Sequence, residues 1–399
     1  MSTAETPKEN RPAILSEEHE ETDEDEQLAV ELSEINKKRP LILIEVVIFL
    51  YFFSLAISSP VLQFYLYQRF SKELGWNGGD SENYCSNSSQ TTNSLEDKVQ
   101  LKTNDFIMYF YFICNFLSFI PGLLFGNLTD RFGRKFVIVL SLIGLFLTQL
   151  SFASIFYWKL QPELLFVSSI FQGLSGYYGL FLAAAFGMVA DFTHDGKNRL
   201  LRVTTCEGSI AISVSLATVL SGISIKTFGF IWPTIFSAGM TTLSIIFACF
   251  FLPETHHPSS SVPVTCALFI RCFQFYVKDT PTKRRFKLIV CLICFLTTQA
   301  AVIGDSNINI LYLLNSPFCW AEVKITIFGG VFVLAKWIIV LTLVHFGKGW
   351  ISETSFVLIG VFSAAAGYLC KGIAWGDLLI YIGAAAGLLT DIVSPMCRT

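Results

Sequence analysis

The sequence predicts an all-α membrane protein in which ten apolar spans gather into two helical bundles. Three observations predict it. The 399 residues are 53% hydrophobic and only 15% charged, whereas a soluble domain carries about 25% charged residues. Ten apolar stretches reach the roughly 20 residues that a helix needs to cross a bilayer. Lys and Arg collect in alternate connections, as the positive-inside rule requires.

Residues 1–39 are polar and hold an acidic run, Glu17 to Glu26, broken by His19 and Thr22. Such runs are solvated, so a disordered acidic cytoplasmic tail is expected there, ending in Lys37-Lys38-Arg39. The apolar run that starts near Leu41 outlasts the roughly 7–15 residues of a signal-peptide core, and it reads as the first span. Spans are expected over 41–66, 105–125, 136–158, 164–191, 203–225 and 228–252, forming a six-helix bundle within 40–252. A polar stretch, 253–285, contains Pro258-Ser-Ser-Ser and Lys283-Arg284-Arg285 and reads as a cytoplasmic linker. Spans over 286–313, 323–345, 354–374 and 377–396 follow, giving a second bundle within 286–399.

With the N-terminus inside, the inner connections hold Arg131, Arg134 and Lys135; Lys197, Arg199 and Arg202; the Lys283 cluster; and Lys348. The short outer connections hold Lys159, Lys226 and Lys371. The longer first outer loop, 68–104, carries four basic residues offset by acids, and the glycosylation sequon Asn87-Ser88-Ser89 lies where that topology permits its use. The eleven cysteines show no paired CxxC spacing. Cys291 and Cys294 lie inside an apolar span, where packing explains them. Net charge is −3, without a basic face for nucleic acid.

The strongest local pattern is Gly126-Asn-Leu-Thr-Asp130-Arg131-Phe-Gly133-Arg134-Lys135, between the second and third spans. It matches the major facilitator signature G-x-x-x-D-R-x-G-R-[RK]. The expected device is a charge latch. Asp130 pairs with an arginine or a helix N-terminus in one carrier state, Arg131, Arg134 and Lys135 supply the opposite charge, and Gly126 and Gly133 allow a tight turn. Around Phe346-Gly-Lys-Gly349 the second half holds a faint echo. Major facilitator bundles of six plus six imply twelve spans, so the second bundle is expected to be incomplete, with ten spans present.

Ionisable groups inside spans are costly and mark function. They are Glu45, Asp191, Glu207, Asp305, Lys336 and Asp391. Burial disfavours a charged carboxyl, which lets such a group load and release a proton. Glu207 sits among small neighbours, Thr204-Thr-Cys-Glu-Gly-Ser, that permit close helix approach. Lys336 either draws an anionic solute or pairs with an acid, Asp391 among the options.

The signature loop, the Cys206-Glu207-Gly-Ser-Ile segment and the block Leu311-Tyr-Leu-Leu-Asn-Ser-Pro-Phe-Cys-Trp320 together resemble the proton-coupled folate transporter family, which includes the thymic stromal cotransporter. The similarity runs from about residue 40 to the end. It implies proton coupling at Glu207 and a role for Asp191, substrate and proton contacts at Arg398, conformational roles for Asp130, Gly133 and Arg134, and a disulfide between Cys85 and Cys319. One position departs. Counted back from Trp320, the family's proton-handling histidine is Val302 here, with Asp305 close by.

The resulting expectation is a secondary transporter that moves a small organic anion such as folate with protons, in the plasma or an endolysosomal membrane. Lys336, Arg398 and Asp305 are the substrate-side candidates, and no cofactor or metal is expected. A lysosomal carrier of peptide-like or muropeptide solutes and a non-transporting receptor-like relative are the alternatives. No Ser/His/Asp grouping or phosphate-binding loop points to an enzyme.

Overall fold

The computed structural model describes residues 13–76, 90–193, 197–254, 284–315, 317–347 and 353–393. All regular structure among them is helical. In lipid, each backbone N–H and C=O must be paired within its own segment, and uninterrupted Leu-, Ile- and Phe-rich runs achieve this as helices. The first half comprises α1 (Ala13–Glu73), α2 (Gln90–Phe132), α3 (Arg134–Trp158), α4 (Leu165–Leu174), α5 (Tyr177–Phe192), α6 (Lys197–Phe228) and α7 (Ile231–Phe251). The second comprises α8 (Arg284–Leu314), α9 (Glu322–Gly347), α10 (Glu353–Gly372) and α11 (Asp377–Ala386), followed by a 3-10 turn at Thr390–Ile392. Eight helical segments among the described residues are long and apolar enough to cross a membrane.

The backbone is helical from Ala13 and continuous with the first span. The segment is rich in Glu, Gln, Ala, Leu and Lys, which are good helix formers, and it extends a helix the span has already nucleated. The fourth span is broken: α4 stops at Leu174, and α5 restarts after Gly176, whose φ of 86° is left-handed. Ser175 at the break lies against Gly144 of α3, so a larger residue at 144 would collide with it. The tenth span is likewise divided, by a turn after α11. Nearly all of the expected linker over 253–285 lies outside the described residues.

The buried side chains form three cores. One, around Trp76, Phe110 and Phe156, runs without a break into Leu311, Leu314, Phe318, Trp320 and Ile325, so it belongs to both halves. A second, around Ile44, Tyr51, Val137, Phe181 and Met188, belongs to the first half. A third, around Val340, Phe356 and Ile392, belongs to the second half. The halves therefore share a core at the Trp320 end and keep separate cores toward the Arg134 end.

Along the seam, α6 lies against α9. Ser215 donates to the Gly330 carbonyl at 2.7 Å, and Gly222 faces Thr326 so closely that a methyl group would not fit. At the Trp320 end, Gln100 of α2 donates to the Leu311 carbonyl of α8 at 3.0 Å. Inside the first bundle, Gln149 of α3 donates to Ser54 of α1 at 2.6 Å and accepts from Thr241 of α7 at 2.7 Å. Ser58 and Ser237 complete this polar tie at 3.2 Å. Such a network, with its members paired, fixes three helices in one arrangement.

Candidate functional site: a charged cavity between two helical bundles

A cavity of about 540 Å³ lies between the halves. Ser58, Gln63, Tyr111, Gln172, Tyr178 and Glu207 line it from the first half. Val302, Asp305, Lys336, Trp337, Lys371 and Asp391 line it from the second. Four of the residues singled out by sequence, Glu207, Asp305, Lys336 and Asp391, thus converge on one space. The charged lining groups among the described residues are two lysines and three carboxyls.

Each lysine faces an acid. Lys336 Nζ stands 3.8 Å from Asp391 Oδ2, with both side chains less than a fifth exposed, and also 4.9 Å over the Phe332 ring. This is the pairing that the sequence left open. Lys371 Nζ donates to both oxygens of Asp305, at 2.7 and 2.8 Å, tying the end of α10 to the middle of α8. The sequence reading placed Lys371 in an outer connection and missed this pair. Glu207 is 3% exposed. Its helix is bound to α1 through Ser209, which donates to the Glu45 carbonyl at 3.5 Å, while Arg202 stands 3.7 Å from the Glu45 carboxylate.

The signature loop turns at the opposite end from Trp320. Gly133 adopts φ 87° and ψ 148° at the N-cap of α3, a conformation open essentially to glycine alone. Beside it, the backbone N–H of Arg134 donates to Glu254 Oε1 at 2.9 Å. A carboxylate at a helix N-terminus meets unpaired N–H groups and the positive end of the helix dipole. Arg134 forms an ion pair with Asp191 at the end of α5, at 2.9 Å, and passes over Gly187, where a methyl group would crowd its guanidinium. Lys135 donates to the Cys249 carbonyl at 2.7 Å.

The described part of the signature therefore clamps α3, α5 and α7 within the first bundle. Asp191 belongs to this clamp and does not line the cavity. The carboxylate seen capping a helix is Glu254, which the sequence reading did not single out; its signal was an acid directly after an apolar span. The side chains of Gly126, Asp130 and Arg131 lie outside the described set, as do Cys85, Asn87 and Arg398 altogether. Cys319 is described, with φ 52°, and is absent from the free thiols among the described residues.

The profile described as Major Facilitator Superfamily matches residues 44–397. The chain belongs to the Major Facilitator Superfamily. That places it among membrane transporters and not among enzymes. This major facilitator chain is 28% identical over 374 residues to the "Lysosomal proton-coupled steroid conjugate and bile acid symporter" of Gallus gallus, covering 90% of this chain and 80% of that one. It is 25% identical over 360 residues to the "Proton-coupled folate transporter" of Bos taurus, covering 89% and 77%. Among solved structures, the human organic anion transporter MFSD10 superposes with a TM-score of 0.61 at 16% identity, over 90% of this chain and 84% of that one. A POT family transporter in complex with a thioalcohol-conjugated peptide superposes with a TM-score of 0.59 at 16% identity, over 90% and 82%. These two likenesses concern the fold. The resemblance carried by the Tyr312–Trp320 block is thus matched over most of the chain.

Proposed function

We propose that this chain is a proton-coupled symporter of an amphipathic organic anion. One observation carries the proposal: a buried carboxyl, Glu207, faces the same cavity as a largely covered lysine, Lys336. In that arrangement Glu207 holds the transported proton and Lys336 draws the anionic group. Phe110, Phe152, Phe328 and Trp337 offer an apolar wall to the body of the solute. Relatives named for steroid conjugates, bile acids and folate support an anion with a flat apolar body.

The same proposal sets the N-terminus in the cytoplasm, from the Lys and Arg distribution, and the Trp320 end toward the lumen or exterior. There Asn87 would carry a glycan and Cys85 would pair with Cys319 in an oxidising compartment. The host membrane is plasma or endolysosomal. Arg398 is kept as a substrate-side contact on the strength of the family resemblance.

The test is uptake of a labelled steroid sulfate and of labelled folate by cells expressing the chain at their surface, at about pH 5.5 and about pH 7.5, beside Glu207→Gln. Acid-stimulated uptake that Glu207→Gln abolishes supports the proposal. Uptake with no pH dependence, unchanged in Glu207→Gln, overturns the coupling.

A further inference from the structure

We propose that Lys371 and Asp305 form a second, proton-gated anion subsite in the cavity, distinct from the one at Lys336. The inference rests on the transport assignment above and adds a site to it. Both side chains line the cavity. Lys371 is 15% exposed and its two hydrogen bonds are spent on Asp305. Its backbone is fixed as well: Tyr312 of α8 donates to the Lys371 carbonyl at 2.8 Å. The ammonium is therefore held at the cavity wall and masked by one carboxylate.

Asp305 lies one helical turn from Val302, so both fall on the cavity face of α8. Among the described residues, the charged and titratable groups facing the pair are few. Tyr368 of α10 is within electrostatic reach of both Asp305 and Asp391, Asp391 is engaged by Lys336, and Glu207 lines the far wall.

A solute carboxylate or sulfate arriving at Lys371 brings a second negative charge to one ammonium. Like charges that share a site favour protonation of one of them, and the internal acid is the one that stays. Asp305 takes a proton from the acidic side, releases Lys371, and the solute anion takes its place. On exit the proton leaves and the Asp305–Lys371 pair reforms. Binding of proton and anion is mutually favourable by linkage. A solute with two anionic groups would span Lys336 and Lys371, whereas a monoanion needs only Lys336.

The experiment uses purified full-length chain and two labelled probes, folate as a dianion and a steroid sulfate as a monoanion, with binding measured at about pH 5.5 and about pH 7.5. In the wild type, folate should bind about tenfold more tightly at the lower pH. Asp305→Asn, a permanently uncharged partner, should bind folate at the higher pH as the wild type does at the lower. Lys371→Gln should weaken folate about tenfold at the lower pH, change it little at the higher, where Asp305 already masks the ammonium, and leave the steroid sulfate unchanged; Lys371→Arg should restore folate binding. The double variant should match Lys371→Gln. An Asp305→Asn protein that keeps the wild-type pH profile for folate, or a Lys371→Gln protein that weakens both probes equally, overturns the subsite and leaves the transport assignment standing. A wild-type chain that binds neither probe at either pH overturns both.

Discussion

Replacing Gly133 by alanine tests how the signature loop is built. Two costs follow from the geometry. At φ 87° and ψ 148° an L-residue is strained by about 1–3 kcal/mol. An added Cβ would also collide with Glu254 Oε2 and stand 2.6 Å from its Cδ, so the carboxylate must withdraw. That breaks the bond from the Arg134 N–H, and a hydrogen bond to a charged group is worth about 1.5–3 kcal/mol. Taking about 2 kcal/mol for each, Gly133→Ala should destabilise the protein by about 4 kcal/mol, and Glu254→Ala, which loses only the bond, by about 2 kcal/mol.

The double variant then separates contact from coincidence. It pays the strain and the lost bond once each, so its cost should be about 4 kcal/mol and not the additive sum of about 6 kcal/mol. The assay is equilibrium unfolding of the four purified proteins in one detergent, followed through Trp fluorescence. A coupling energy within about 0.5 kcal/mol of zero would show that Gly133 and Glu254 act independently, and the clamp would have to be abandoned.

Other perturbations probe the cavity and the seam. Lys336→Ala or Asp391→Asn alone leaves one buried charge unmatched and should cost about 3–5 kcal/mol, whereas Lys336→Met combined with Asp391→Leu should restore most of the stability; thermal melts of the singles and the double decide it. Gly330→Val places a Cβ 2.5 Å from Val219 and 2.7 Å from the Ser215 carbonyl, where backbone cannot yield. Transport should fall at normal abundance, measured as uptake per surface-labelled molecule, and unchanged uptake would show that α6 and α9 need not approach there. Gln149→Leu strips the tie among α1, α3 and α7 of its centre and leaves buried hydroxyls short of partners, at about 1–3 kcal/mol per unsatisfied group. The unfolding midpoint should drop, while Gln149→Glu assayed at low pH, where the acid is neutral, should drop less.

Much of this was legible in the sequence, for identifiable reasons. Spans announce themselves because lipid tolerates little else than long apolar helices, and charges within them stand out for the same reason. Glu207 and Lys336 were therefore visible one residue at a time. The Lys336–Asp391 pair was visible only as an option, since a single sequence carries no distances. Asp305–Lys371 was hidden by a position effect: Lys371 sits at the end of its helix, where the positive-inside count files it as a loop residue, yet its side chain turns into the cavity. Glu254 was hidden because a lone acid after an apolar run has many bland explanations, and only the approach of the α3 N-terminus gives it one role. The break at Ser175–Gly176 was masked by apolar residues on both sides, which kept the hydropathy of the fourth span continuous.

The distribution of cores and charges also constrains how the carrier moves. The halves share packed side chains at the Trp320 end and keep separate cores at the other, so separating them at the Trp320 end requires exposing surfaces now in contact. The Gln149 network and the Gly133–Glu254 clamp lie wholly inside the first bundle, so that motion need not disturb them, and the bundle can rotate as one body about the α6–α9 seam. The charges set a condition on when it does so. With both lysines paired and Glu207 ionised, the two ammonium groups and three carboxylates among the described lining residues sum to one negative charge. A bound monoanion would double that charge and a dianion triple it, and unmatched charge is costly in a low-dielectric space. Under the function proposed above, a proton on Glu207 offsets the first added charge and a proton on Asp305 the second. Proton coupling then follows from the proposed anionic solute and from lysines that are already matched before it arrives.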